Sequence, residues 1–197
     1  MPFEMMFNLI ALAVASAWSP GPNNALVANS GATFGISRTV PHILGIALGF
    51  ALMIFIVGLF LGELFQRSAL LRESLRWVGA GLLLYVAWKV ATSGGISLGK
   101  GEPRPFTFLE AAGFQWINPK AWAMAIAVTA QFIPAEAPMP SAMIVALIFA
   151  LVGLGSATSW AVGGRAALRL LGGESQIRLF NMVMGVLVAG CVVLLWL

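Results

Sequence analysis

A chain of 197 residues that is 60% hydrophobic and only 9% charged, with a mean hydropathy of +0.94, has too little polar surface to clothe a soluble globule, so bilayer is its expected solvent. The formal charge of +4 is spread through loops and helix ends rather than gathered into a stripe with stacking aromatics, which excludes nucleic acid as a partner and favours membrane lipid. A single cysteine, Cys191, permits neither a disulfide within the chain nor a thiolate metal cluster.

Six stretches reach about the 20 apolar residues that a spanning helix needs: 5–29, 39–62, 75–92, 106–132, 139–163 and 177–197. Continuous runs of this length predict helices, because barrel strands would be shorter and would alternate apolar with polar residues. The fold class expected is an all-α integral membrane protein with six transmembrane helices.

The first stretch contains Ala15-Ser16-Ala17, which has the look of a signal-peptidase site. No Lys or Arg precedes Arg38, so the basic start of a signal peptide is missing and residues 1–30 are expected to stay in the mature protein. The same stretch is interrupted by Trp18-Ser19-Pro20-Gly21-Pro22-Asn23-Asn24. In the second stretch, His42 near its start is an interfacial residue or a proton relay. Gly45 with Gly49, and Gly58 with Gly62, have the small-xxx-small spacing of close helix packing or of a homodimer.

The third stretch follows Arg72, Glu73 and Arg76 and is the weakest of the six; it ends in Lys89, which is expected to reach the headgroups. A polar Gly and Pro linker at about 94–105 divides the single membrane domain, 1–197, into a first repeat at about 1–93 and a second at about 106–197. In the fourth stretch, Glu110 lies about one turn in, and interface and proton-carrier roles are equally open to it. Then comes the second interruption, Gln115-Trp116-Ile117-Asn118-Pro119-Lys120-Ala121-Trp122. The fifth stretch carries no charge at all, and the sixth holds Cys191 as a packing residue.

Pro20 and Pro119 stand 99 residues apart, half of the chain. Breaks at corresponding places in two halves are the best sequence pointer to the binding site of a transporter. Three helices per half require the second repeat to start from the opposite face, so the halves are expected to be inverted, with helices one and four broken. Arg38, Lys89, Lys100, Arg104, Arg165, Arg169 and Arg178 flank the odd-numbered loops, against Arg67, Arg72 and Arg76 on the other side. The positive-inside bias then places both termini outside.

Proline lacks an N–H, so Pro20 and Pro22 leave the carbonyls of Ser16 and Trp18 without helical partners, and Pro119 does the same to Gln115. Such groups cost several kcal/mol in hydrocarbon unless protein, water or ligand meets them. A half-helix can restart beyond each break, with Asn118 as cap and Pro119 at the first helical position, and with Ser19 or Gly21 capping before Pro20 or Pro22. Bare N–H groups and the helix dipole suit a carboxylate, while freed carbonyls and the amide oxygens of Asn23, Asn24 and Asn118 suit an ammonium. Lys120 adds a full charge at mid-span, where it can face a substrate carboxylate or act in proton coupling. One proline kink usually serves packing; two at a half-chain offset, each beside Asn and one beside Lys, favour a site. Trp18, Trp116 and Trp122 flank the breaks and are candidates for its walls.

Pro20-Gly21-Pro22-Asn23-Asn24, the run from Leu75-Arg76-Trp77 to Ala87-Trp88-Lys89-Val90-Ala91-Thr92-Ser93, and Phe114-Gln115-Trp116-Ile117-Asn118-Pro119-Lys120 resemble the LysE/RhtB family of amino-acid exporters over essentially the whole chain. Asn23, where many members have Asp, and the Trp88-Lys89 ending of helix three are most similar to the cysteine and O-acetylserine exporter subgroup. The resemblance implies six helices, a bacterial inner membrane, and efflux of amino acids or close derivatives in exchange for protons. With Asn at 23, any coupling or cation role of that Asp does not carry over.

No nucleophile, base and orienting trio, no P-loop and no metal-ligand cluster is visible, so neither an enzyme nor a cofactor is expected, and an ion gradient must drive transport. The expected function is export of neutral amino acids or their derivatives by proton antiport. A metal or other cation exporter is the rival, and would want intramembrane carboxylates, for which Glu110 alone is a partial candidate.

Overall fold

The computed structural model describes residues 2–19, 21–61, 69–92, 104–134, 138–171, 174–190 and 192. These are helical with short connections: α1 Phe3–Trp18, α2 Pro22–Phe34, α3 Ile36–Ile56 continued by a π-helical turn at Val57–Leu61, α4 Ala69–Thr92, α5 Phe108–Phe114, a 3-10 turn at Gln115–Ile117, α6 Pro119–Phe132, α7 Pro138–Leu171 and α8 Glu174–Gly190. Ile36–Phe60 and Pro138–Ala167 are each long and apolar enough to cross a membrane, and α1 with α2, bent by 57°, makes a third candidate as a broken span. Gly62, most of the linker and Cys191 lie outside the described residues, as does Pro20.

Local chemistry sets the breaks. A residue before proline is pushed out of the helical region by the ring's Cδ. Ser19 (ψ 138°), Gly21 (φ −176°, ψ 174°) and Asn118 (ψ 113°), which precede Pro20, Pro22 and Pro119, are all extended. Pro22 and Pro119 then occupy first-turn positions of α2 and α6, where a missing N–H costs nothing. The turn from α2 into α3 rests on Gly35, whose φ of +79° with ψ 165° is open to glycine and strained for any other residue. Pro41 sits inside α3, a position that sequence reasoning passed over. α5 starts in a capping box: Glu110 N donates to Thr107 Oγ1 (3.3 Å) and Thr107 N donates to Glu110 Oε2 (2.8 Å).

The outer faces read as lipid-facing. Phe3, Phe7, Ile10 and Val14 of α1, Val40, Leu44, Leu48 and Leu52 of α3, and Met139, Met143, Leu147 and Leu151 of α7 are exposed large hydrophobics at helical spacing. Apolar stripes of this extent are not seen on soluble monomers.

Inside, α7 packs against α1, α2 and α3, α3 against α5, and α4 against α8. Small residues permit the closest approaches. A Cβ on Gly45 would meet Phe108 O at 2.5 Å, and one on Gly49 would meet Ala112 Cα at 2.5 Å, so this small-xxx-small pair faces α5 of the same chain. Its spacing therefore serves internal packing. Likewise a Cβ on Gly31 of α2 would overlap Ala161 O of α7, and one on Gly164 of α7 would overlap Ala28 O of α2. Two clusters of buried apolar side chains result, one around Leu26, Ile43, Phe106 and Phe114, the other around Leu9, Met53, Ile54 and Phe132. Between them, walled by Ile46 and Ala157 of the first and Ala121 and Phe149 of the second, the structure leaves a cavity.

Candidate functional site at the paired helix breaks

The first break exposes the carbonyls at the end of α1, and tertiary donors meet them. Ala17 O accepts from Asn24 Nδ2 (3.0 Å) and from Ser156 Oγ of α7 (2.7 Å). Ser19 O accepts from Asn24 Nδ2 (2.8 Å) and from Lys120 Nζ (2.7 Å), and Lys120 Nζ also donates to Ser19 Oγ (2.8 Å). Ser16 O, freed as expected, takes the Ser19 hydroxyl (2.8 Å).

The second break meets its own needs. Asn118 N donates to Gln115 O (3.3 Å) across the 3-10 turn, the Asn118 side chain caps α6 by accepting from Lys120 N (3.1 Å), and Trp122 N donates to Asn118 O (3.2 Å). Asn118 and Pro119 thus take the cap and first-helical positions that the sequence indicates. The two breaks are joined by a pair of amides. Asn23 Nδ2 donates to Gln115 Oε1 (2.8 Å), and Gln115 Nε2 donates both to Asn23 Oδ1 (3.3 Å) and to Ala111 O (2.9 Å).

The cavity between them is open at its mouth, with about 610 Å³ of atom-free space once the adjoining solvent is included. Gly21, Asn23, Asn24, Gln115, Asn118 and Lys120 all line it. Pro22 is buried at the head of α2 and is not in the lining; Pro119 heads α6, and its side chain lies outside what the structure describes. Lys120 is the charged group among the lining residues. At about 4 Å and an effective dielectric near 20, an ammonium attracts a carboxylate by about 4 kcal/mol, against about 0.3–1 kcal/mol for a helix terminus. The lysine therefore dominates the electrostatics of the wall, and the α6 dipole reinforces it. Gly21 is needed for space rather than for its dihedral, since a Cβ there would lie 2.9 Å from Lys120 Cδ and 3.0 Å from Nζ.

Several expectations are corrected. His42 is 1% exposed, held by Ser30 at 2.9 Å from Nδ1 and packed on the Phe106 ring at 5.0 Å, so it is not an interfacial residue. Trp18, Trp116 and Trp122 do not wall the cavity: Trp18 is exposed, while Trp116 and Trp122 pack edge to face at 5.9 Å and Trp122 Nε1 closes on Trp116 O (2.8 Å). Glu110, to which interface and proton-carrier roles are equally open, is bound by both Arg104 guanidinium nitrogens (2.6 and 2.7 Å) and by its capping box, and stands outside the lining. Among the further walls that sequence reasoning missed are Ile46, Ala47 and Phe50 from α3 and Phe149, Gly153 and Ser156 from α7. Ser156, a hydroxyl set among small residues in the uncharged fifth stretch, was the available signal.

The family described as LysE type translocator matches residues 14–197. The cysteine/O-acetylserine efflux proteins of Salmonella typhi and of Escherichia coli strain K12 are 28% and 26% identical to this chain over 179 residues, 90% of each chain in both cases. No solved structure matches.

Proposed function

Because the chain belongs to the LysE-type translocators, a family of transporters rather than enzymes, we propose that it exports neutral amino acids or close derivatives, of the cysteine and O-acetylserine kind, in exchange for protons. The observation that carries this reading is the junction of the two breaks in one cavity. Lys120 from the second break sits against Ser19 at the first, and the Asn23–Gln115 amide pair lies alongside. In this site the Lys120 ammonium and the α6 N-terminus receive the substrate carboxylate. The amide oxygens and freed carbonyls receive its ammonium, and Phe50, Met124 and Phe149 accommodate a short side chain. A bound metal cation would instead face the like charge of Lys120, which favours the amino-acid reading over cation export.

Alternating access follows from an inverted repeat of six spans, with the second repeat beginning at about 106. Packing supports it. The exchange of α1, α2, α3 and α4 with α5, α6, α7 and α8 turns the α3–α7 and α4–α8 contacts into themselves and the α1–α7 contact into α5–α3, all of which are present. The chain would lie in a bacterial inner membrane with both termini outside. Reporters fused at the N-terminus and at Glu136 then read outside, and those at Gly101 and Gly172 read cytoplasm; the reverse pattern overturns the orientation.

The test of function is uptake by inverted vesicles of labelled O-acetylserine, cysteine and other neutral amino acids, with and without a pH gradient. Gradient-stimulated uptake is expected, and movement of metal ions alone would reverse the assignment.

A further inference from the structure

The export reading uses the cavity but leaves one buried titratable group without a task. His42 lies on α3 one helical turn before Ile46, which walls the cavity, and its Nδ1 is 2.9 Å from the hydroxyl of Ser30 on α2. α2 carries Asn23 and Asn24 into the same cavity from its first turn. The His42–Ser30 bond therefore ties together two elements whose other turns form the binding wall. Next to Ser30, the buried Asn29 pairs with Asn181 of α8, so a polar seam crosses an otherwise apolar interior. Ser and Asn in such a seam serve helix packing, but an ionisable imidazole within it is a functional-site candidate.

The charged surroundings are sparse. α5 presents Glu110, whose oxygens Arg104 holds. Arg38, on the same helix as His42, is exposed over the Phe34 ring, and Arg165 of α7 lies toward Gly35. α2 offers the Ser30 hydroxyl, and the segment before α5 offers the Phe106 face.

We propose that His42 carries the coupled proton, with Ser30 as its positioning partner. This rests on the export reading. A hydroxyl can donate to a neutral imidazole nitrogen or accept from a protonated one. When the ring takes a proton from outside, Nδ1–H donates to Ser30 Oγ. When it gives that same proton up inside, Ser30 can donate in return. The N–H bond forms as an O–H bond of an external hydronium breaks, it breaks as an O–H bond forms on an internal water, and the direction of the α2–α3 hydrogen bond reverses with it. That reversal is the link between proton occupancy and the shape of a cavity built from the same two helices.

The test uses purified full-length protein in proteoliposomes with labelled O-acetylserine, read in two ways: counterflow at equal pH, which needs only the binding site and alternating access, and accumulation driven by a pH gradient. The His42→Gln variant is expected to keep counterflow and lose gradient-driven accumulation. Retained accumulation, or loss of both activities in a well-folded variant, overturns the proposal. Ser30→Ala keeps the imidazole and is expected to displace the pH profile of driven transport, and an unmoved profile also counts against it. Absence of counterflow in the unmodified protein would instead strike the export reading itself.

Discussion

The two breaks use one chemical trick, a proline that denies a helix its N–H, yet they are stabilised in opposite ways. The break between α5 and α6 is closed by neighbours in sequence: a 3-10 turn, the Asn118 cap and the Trp122 bonds. The break between α1 and α2 has no side-chain cap at Gly21, and its carbonyls depend on Asn24, on Ser156 139 residues from Ala17, and on Lys120 101 residues from Ser19. A self-sufficient terminus is a rigid platform for a charge. A terminus completed from elsewhere can be reopened when its donors are drawn to a substrate. On the proposed function, the second break would hold Lys120 in place and the first would be the part that responds.

The largest effect is expected where the two meet. Lys120→Met removes the charge from the cavity and its two hydrogen bonds to Ser19, and should abolish export. Lys120→Arg keeps the charge with a different geometry and should leave weak transport. Substrate affinity of both purified variants is the measurement, and normal binding and export by the Met variant would remove the lysine from the site. Next, Gly21→Ala suits the extended backbone but places a methyl 2.9 Å from Lys120 Cδ, moving the ammonium off Ser19. A misplacement of this size should cost about 10- to 100-fold in transport with folding intact; an unchanged rate would show that the Ser19 contact is dispensable.

The contrast predicts unequal penalties for removing one amide from each break. Asn24→Ala removes two hydrogen bonds to half-buried carbonyls that each keep one other donor, and should destabilise the protein by about 1–3 kcal/mol, whereas Asn118→Ala loses a local cap worth about 1 kcal/mol. Unfolding in detergent compares them, and equal losses would erase the distinction between the breaks. The smallest effect belongs to Arg104→Ala. That ion pair is bidentate, but its side chains are 42% and 27% exposed, so its loss should cost less than about 1 kcal/mol and leave export unchanged.

Much of the candidate cavity wall was legible because its chemistry is local. Pre-proline sterics, the Asn118 cap and the half-chain offset of the breaks are properties of a few consecutive residues, so Gly21, Asn23, Asn24, Gln115, Asn118 and Lys120 could be named before any helix was placed. What tertiary structure alone decided is which faces meet: α7 closing the first break through Ser156, α3 supplying Ile46 and Phe50, Gly45 and Gly49 turning to α5, and His42 going inside instead of to the interface. The physical reason lies in the solvent. In water, a helix marks its inner face by hydrophobicity, but lipid tails are as apolar as a protein core, so a span such as α7 reads the same on the side that meets lipid and the side that meets the cavity.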